Sequence, residues 1–105
     1  MSFFESVYEN LKKVPKGRVI TYGALARMCG NSRMSRQVGW ALHVNPDPIN
    51  TPCHRVVNRF GYLSGGFAFG GIEVQKQLLE KENVFVSKDY MVDLGEYFWN
   101  GDIKL

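Results

Sequence analysis

A chain of 105 residues, 45% of them hydrophobic and 22% charged, has the composition of a soluble globule, and we expect one domain over residues 1–105. No apolar run approaches the roughly 20 residues that span a bilayer. The N-terminal stretch has acids where a signal peptide needs a basic region and then an apolar one. These features predict a cytoplasmic protein without a membrane partner. The net charge of +3 is compatible with a nucleic-acid partner, and equally with a solvated basic surface.

The first predicted element is an amphipathic helix that ends before Pro15. Ser2 and Glu5 form a capping box at its start. Its apolar residues recur at helical spacing: Phe3, Phe4, Val7, Tyr8 and Leu11. A short β-prone stretch, residues 18–20, follows the turn at Pro15.

Two further short helices predict a helix-turn-helix. Thr21 caps the first, from Tyr22 to about Met28, and Gly30 ends it. The second begins near residue 32 or 33 and continues to about His43, with an apolar face and a polar one. The apolar face carries Met34, Val38, Ala41 and Leu42, and the other face Arg33, Arg36, Gln37 and Trp40. The second helix of this motif enters a DNA groove, although any αα-hairpin in a small bundle has the same pattern.

The rest of the chain predicts a rigid loop, a hairpin and one more helix. Three prolines make residues 45–52 an irregular loop. Residues 55–58 are β-prone and predict a hairpin with residues 62–64. A last long helix is expected over about 73–81, and residues 92–99 are expected to pack back as a short strand or turn.

Cys53 is the residue with the most open role. It follows a proline and precedes His54 and Arg55, whose charges favour a thiolate. The alternatives are a buried small hydrophobe, half of a disulfide, and a metal ligand together with Cys29, His43 and His54. A reducing compartment argues against the disulfide, and the metal set lacks the paired short spacings of structural zinc sites.

The sequence around Cys53 resembles a family signature. Pro52–Val56 is similar to the Pro-Cys-His-Arg-Val motif of the O6-alkylguanine-DNA alkyltransferases, which transfer an alkyl group from a flipped guanine to their own cysteine. Other segments resemble the same family in register: residues 22–26, 35–39, 45–48, 70–71 and 78–82. The resemblance covers nearly the whole chain and corresponds to the family's C-terminal domain alone. It implies an α+β, mostly helical fold, a winged-helix-like helix-turn-helix domain with a small β-hairpin.

The resemblance also implies catalytic roles for particular residues. Cys53 would be the alkyl acceptor, and His54 would take its proton through a bound water. Glu82 would hold the imidazole, and Asn45 would brace the turn that carries Cys53. No cofactor and no metal are implied.

Further roles concern the nucleic acid. Tyr22 would help to rotate the target phosphate and would donate toward the flipped base, and Arg36 would fill the place that this base leaves. The DNA-binding set is Tyr22, Ser35, Arg36 and Gln37, and the substrate pocket is Pro48, Val56, Ser64 and Phe69. The implied partner is double-stranded DNA containing alkylated guanine, bound by a monomer.

Two departures from the family pattern leave the function open between two hypotheses. The segment before Gly70 is about two residues longer than usual, so Ala68-Phe69 replaces a Tyr-Ser pair, for which Ser64 is a possible substitute. Trp40 stands where a small residue is common, and it would either obstruct DNA or stack on it. The chain therefore also resembles the alkyltransferase-like proteins, which bind damaged DNA without reacting and recruit excision-repair proteins. Those relatives typically have tryptophan or alanine at the position of Cys53.

Overall fold

The computed structural model describes residues 2–64 and 70–101. The elements are five α-helices, one 3₁₀ turn and two short strands. In chain order they are α1 (Phe3–Leu11), β1 (Ile20–Thr21), α2 (Tyr22–Met28), α3 (Ser35–His43), the 3₁₀ turn (Cys53–Arg55), β2 (Val56–Val57), α4 (Ile72–Lys81) and α5 (Leu94–Tyr97). The predicted α+β, mostly helical class is confirmed.

The predicted caps fix the starts of α1 and α2. Ser2 Oγ accepts from the Glu5 amide at 3.1 Å, while a Glu5 carboxylate oxygen accepts from the Ser2 amide at 3.3 Å. Thr21 Oγ1 accepts from the Ala24 amide at 3.2 Å. Helix α3 begins two or three residues later than predicted because a turn at Asn31 comes first: its side chain accepts from the Arg33 amide at 2.9 Å, and its carbonyl accepts from Met34 at 3.1 Å.

The two strands pair in parallel, with Ile20 opposite Val56 and Thr21 opposite Val57. Alternate residues of a strand point to opposite faces, so the pair separates two core clusters. One cluster lies among α1, α2 and α3: Val7, Leu11, Val14, Ile20, Leu25, Ala26, Val38, Ala41, Leu42, Cys53 and Val56. The other consists of Val19, Val57, Leu63, Leu79, Val84, Val86 and Val92. Cys53 thus lies in the wall of the helical core.

The predicted hairpin is present in reduced form. Val57 and Leu63 form one antiparallel bridge, and the Asn58 amide donates to the Tyr62 carbonyl at 3.0 Å. Val57 thus has Thr21 of β1 on one side and Leu63 on the other, and Tyr62 bridges to Met91. Gly61 is required at the turn: its φ is +97°, and a Cβ would meet the Val92 carbonyl oxygen at 2.2 Å.

The C-terminal segment packs back on the domain, as predicted, although it forms a short helix and a bridge. Asp93 caps α5 by accepting from the Gly95 amide at 2.9 Å, and Phe98 bridges to Val19 in parallel. Helix α4 starts at Ile72, one residue before the prediction. Across residues 2–64 and 70–101, every helix is too short or too polar to cross a bilayer.

Candidate functional site

Cys53 opens the 3₁₀ turn between the proline-rich loop and β2. Its amide donates to the Thr51 carbonyl at 2.8 Å, and the Arg55 amide donates to the Pro52 carbonyl at 3.0 Å. The residue is only 1% exposed. These bonds fix the backbone on both sides of Cys53, so the sulfur is carried by a fixed turn.

Asn45 ties the two ends of the proline-rich loop together. Its Nδ2 donates to the Thr51 carbonyl at 2.9 Å, and its Oδ1 accepts from the Asp47 amide at 3.0 Å. Asn45 is buried just beyond the end of α3, so it connects α3 to the loop before Cys53.

One carboxylate holds both residues that follow Cys53. Glu82 Oε2 lies 3.0 Å from His54 Nε2, and the Arg55 guanidinium donates to both carboxylate oxygens, from Nε at 2.9 Å and from Nη2 at 2.7 Å. Arg55 Nη1 also donates to the Val14 carbonyl at 2.8 Å. Bidentate pairing of this kind fixes the Arg55 guanidinium and the Glu82 carboxylate relative to each other. The structure therefore places Glu82 against His54 and Arg55, the two residues that follow Cys53.

The charge states follow from this arrangement. Burial raises the pKa of the Cys53 thiol, although hydrogen bonds from the Asn45 side chain and from the backbone act to lower it. Burial lowers the pKa of His54, against the hydrogen bond and charge of Glu82. Burial acts to raise the pKa of Glu82, but hydrogen bonds from Arg55 and His54 outweigh it, and the net pKa is below the ordinary value. The resting site is a neutral thiol, a neutral imidazole and an ionised carboxylate at neutral pH.

The ionised carboxylate also selects the histidine tautomer. A carboxylate only accepts hydrogen bonds, so Nε2 of a neutral His54 carries the hydrogen that faces Glu82. The other ring nitrogen, Nδ1, is then an acceptor and is able to take a proton.

Gln75 of α4 is a buried residue that the sequence reasoning missed. Its Nε2 donates to the His54 carbonyl at 3.1 Å and to the Val56 carbonyl at 3.0 Å, and the residue is 0% exposed. The side chain therefore spans the last part of the 3₁₀ turn and holds it against α4. In the sequence, a polar residue of an amphipathic helix gives no indication that its side chain is buried against backbone carbonyls of a distant turn. Arg55 was noted only as a neighbouring charge, and its adjacency to the cysteine was the available signal.

A shallow depression of about 540 Å³ lies on the outer side of α2 and α3. Three predicted DNA-binding residues line it, together with three that were not in the predicted set. The lining is Tyr22, Ser35, Arg36, Gly39, Trp40 and His43. Gln37, the fourth predicted residue, is half-buried and outside this lining. Among the described residues that line the depression there is no acidic side chain.

Tyr22 connects the depression to the cysteine. Burial raises the pKa of its phenol, a hydrogen bond with Ser64 acts to lower it, and the charge of Cys53 acts to raise it. Tyr22 packs against the core cluster that contains Cys53, and its phenol oxygen is hydrogen bonded to Ser64 Oγ. Tyr8 is a second phenol whose pKa is raised by burial and by the charge of Cys53, which sequence reasoning had treated only as an apolar helix residue.

The residues predicted to form the substrate pocket have different surroundings where the structure describes them. Pro48 lines a cavity of about 420 Å³ with His54, Ile49, Val74 and Leu78. Val56 is 1% exposed and packs in the helical core. Ser64 contacts Tyr22. Phe69 and its neighbour Ala68 lie outside the described residues.

The remaining alternatives for Cys53 concern a metal and a disulfide. In residues 2–64 and 70–101, no three histidine, cysteine or acidic side chains are arranged to hold a metal ion. Cys29 and Cys53 are both free thiols, and Cys29 is half-buried at the end of α2, where its sulfur accepts from Asn10 Nδ2 at 3.6 Å.

Comparison with known proteins places this geometry among DNA-repair proteins. The family model for the DNA binding domain of 6-O-methylguanine DNA methyltransferase matches residues 2–84. The DNA base-flipping protein of Escherichia coli is 39% identical over 99 residues, which cover 94% of this chain and 75% of that protein. A methylated-DNA–protein-cysteine methyltransferase of Methanosarcina acetivorans is 41% identical over 80 residues, 76% of this chain and 50% of that protein.

Solved structures give the same result. The crystal structure of Schizosaccharomyces pombe Atl1 in complex with damaged DNA containing O6-carboxymethylguanine superposes with a TM-score of 0.81 at 37% identity, covering 92% of this chain and 94% of that chain. Mycobacterium tuberculosis OGT in complex with DNA has a TM-score of 0.74 at 37% identity, over 79% of this chain and 49% of that chain.

Proposed function

Because this chain belongs to the 6-O-methylguanine DNA methyltransferase family through its DNA-binding domain, we propose that it recognises O6-alkylguanine in duplex DNA and transfers the alkyl group to Cys53. The observation that carries the proposal is the buried Cys53 thiol, followed directly by an imidazole that Glu82 orients at 3.0 Å. A Cys–His pair with a third group orienting the base is the general arrangement of an activated sulfur nucleophile.

The proton transfers follow from the resting charge states. The Cys53 thiol gives its proton to Nδ1 of His54 through a bound water, and Glu82 stabilises the resulting imidazolium. The sulfur forms a bond to the alkyl carbon while the bond from that carbon to O6 breaks. The electron pair of the broken bond stays on the guanine, which takes up one proton. The products are an unmodified guanine and a thioether, so each molecule reacts once.

Asn45 and Gln75 support this step by fixing the backbone. Asn45 holds the loop before Cys53, and Gln75 holds the carbonyls of His54 and Val56 after it. A sulfur that must meet one carbon atom of a flipped base gains from a fixed position, because misplacement of about 1 Å costs large factors in rate.

DNA approaches the face of α3 that carries Arg36 and the depression beside Tyr22. Extrusion of a base costs a few kcal/mol, and insertion of Arg36 into the vacated place offsets part of that cost. Tyr22 lines this depression and also packs against the core cluster that contains Cys53.

A second function is damage recognition without transfer, followed by recruitment of excision-repair proteins. It is favoured by similarity to Alkyltransferase-like protein 1 of Schizosaccharomyces pombe, which is 37% identical over 92% of this chain and 94% of that protein. The raised pKa of Cys53 is compatible with an inert thiol. In that case Cys53 is a buried wall residue of a binding pocket.

Intact-mass measurement separates the two functions. The protein is incubated with a duplex that contains one O6-methylguanine, and transfer predicts the gain of one methyl group for the wild type and for Cys29→Ala, but not for Cys53→Ala. Cys29→Ala is the matched control because it removes the other cysteine of the chain. Damage-selective binding with no change in mass refutes transfer and supports recognition alone. Failure to prefer the alkylated duplex over an unmodified one refutes both.

A further inference from the structure

Trp40 is a large aromatic residue that the fold leaves in solvent. It is 57% exposed, whereas Val38, Ala41 and Leu42 of the same helix are 0% exposed. It therefore contributes little to the core. An indole is among the largest apolar surfaces a side chain offers for burial against a partner.

The position of Trp40 on α3 relates it directly to Arg36. The two residues are four apart, so their side chains are neighbours one helical turn apart on the same face. Both line the depression of about 540 Å³ together with Tyr22 and His43. A planar cation and a planar indole thus stand side by side on the outer face of α3.

The helix backbone beside Trp40 is open to close approach. A Cβ built on Gly39 would meet no atom within 4 Å, and Gly39 lines the same depression. A partner is therefore able to approach the helix closely next to the indole. No acidic residue is among the described residues of the lining, which favours a polyanionic partner over a cationic one.

We propose that Trp40 stacks its indole on a nucleobase of the duplex bound against α3, one helical turn from the Arg36 side chain. This inference rests on the proposed DNA-binding function and adds a residue to it. Every nucleobase presents a flat π-face, so stacking on an aromatic side chain does not depend on the base sequence. Trp40 therefore adds affinity for DNA without adding sequence preference.

Affinity measurements on three Trp40 variants test the stacking. Wild type, Trp40→Ala, Trp40→Leu and Trp40→Phe are titrated with the same O6-methylguanine duplex. We expect Trp40→Ala to bind about 5- to 150-fold more weakly, the range that corresponds to loss of one base–aromatic stack. Trp40→Phe should retain part of the affinity, and Trp40→Leu, which keeps apolar area without a π-face, should resemble alanine.

Phe85→Ala is the matched control, because Phe85 is an aromatic residue with 68% exposure that lines a different depression. It should bind the duplex as the wild type does. Thermal unfolding of each Trp40 variant should be close to that of the wild type, since the side chain is mostly in solvent.

Fluorescence gives an independent readout. The chain has two tryptophans, so in Trp99→Phe all tryptophan emission comes from Trp40, and stacking predicts quenching of that emission as duplex is added.

Wild-type affinity in Trp40→Ala, or equal affinity in the leucine and phenylalanine variants, overturns the stacking while leaving the proposed function intact. Tighter binding by Trp40→Ala would mean that the indole obstructs DNA, and it also overturns the inference. Absence of duplex binding by the wild type overturns both the inference and the proposed function.

Discussion

Arg55 and Glu82 form a two-point ion pair, with guanidinium nitrogens 2.9 and 2.7 Å from the two carboxylate oxygens. The oxygen at 2.7 Å from Arg55 is also the one that faces His54 Nε2. The side chains of Arg55 and Glu82 are both 11% exposed. The Glu82 carboxylate therefore orients the imidazole of His54, and Arg55 in turn fixes the position of that carboxylate.

Removal of that carboxylate should be strongly destabilising. Glu82→Ala leaves the Arg55 charge buried without its partner, and breaking a buried pair in this way typically costs about 3–5 kcal/mol. Urea unfolding measures the loss. Glu9→Ala is the control, because it breaks the exposed Lys12–Glu9 pair at 3.4 Å, and exposed pairs contribute about 0–1 kcal/mol. Similar losses for the two variants would contradict the buried pair's role.

Stability should fall in acid in two stages. Burial lowers the pKa of His54 below its ordinary 6.5. The Arg55 and His54 hydrogen bonds outweigh the effect of burial and lower the pKa of Glu82 below its ordinary 4.5. The unfolded chain therefore binds protons more readily than the folded one at both positions, and the free energy of unfolding decreases as pH falls.

The window for this effect begins near the unfolded-state pKa values. The His54 contribution is complete above 6.5 and is lost as pH falls toward its lower folded-state value. The Glu82 contribution is lost below 4.5. Urea unfolding at a series of pH values measures both, and His54→Gln should remove the upper stage alone. Constant stability from about pH 7 to pH 5 would contradict the assignment of His54.

Gln75 should fix the position of the turn that carries Cys53. Gln75→Leu removes the amide that donates to the His54 and Val56 carbonyls, and loss of buried hydrogen-bond partners typically costs about 1–3 kcal/mol. Gln77→Leu is the matched control, because Gln77 lies on the same helix and is exposed.

A second readout distinguishes positioning from stability alone. Under native conditions, the reaction of Cys53 with a thiol reagent should be faster in Gln75→Leu than in Gln77→Leu, in a Cys29→Ala background. Equal rates would mean that the turn does not depend on Gln75.

Arg36 should contribute to DNA binding beyond its charge. Arg36→Ala removes a side chain that lines the α3 depression, whereas Arg59→Ala removes the same charge from an exposed hairpin residue that contacts the Phe60 ring. We expect Arg36→Ala to lose at least tenfold in affinity for the alkylated duplex, about 1.4 kcal/mol, and Arg59→Ala to lose less.

Salt titration completes that comparison. Each lost phosphate contact lowers the slope of log affinity against log salt by about 0.9. A loss in Arg36→Ala with an unchanged slope would identify a contact within the stack, and a slope reduced by about one would identify a phosphate contact. Equal affinities in the two variants would contradict placement of the duplex on α3.

Local signals in the sequence were sufficient for the elements that local chemistry determines. Ser2 with Glu5 and Thr21 predicted helix starts because a cap depends on residues three apart. The start of α3 was predicted two or three residues too early, because the Asn31 side chain competes with a helix that the apolar pattern alone would begin sooner.

Long-range features were predictable only through the family resemblance, or were not predictable at all. Glu82 was assigned to His54 from the resemblance, since nothing in a charged helix end indicates a partner in a distant turn. The sequence predicts a local hairpin after Arg55 but not the parallel pairing of Ile20 with Val56, because short-range turns are easier to recognise than pairing between distant segments. The role of Gln75 could not be predicted from the sequence, because its polar side chain is buried and donates to backbone carbonyls in the core.

The parallel pair β1–β2 has a consequence for redesign of the protein. Thr21 immediately precedes the first residue of α2, and Val56 immediately follows the turn of Cys53. The spacing between the outer helices and the sulfur is thus set by main-chain hydrogen bonds and not by the side chains that face a ligand. Exposed positions of α3 can be varied while the turn of Cys53 keeps its place, which makes the outer surface and the surroundings of the cysteine separately adjustable in one small domain.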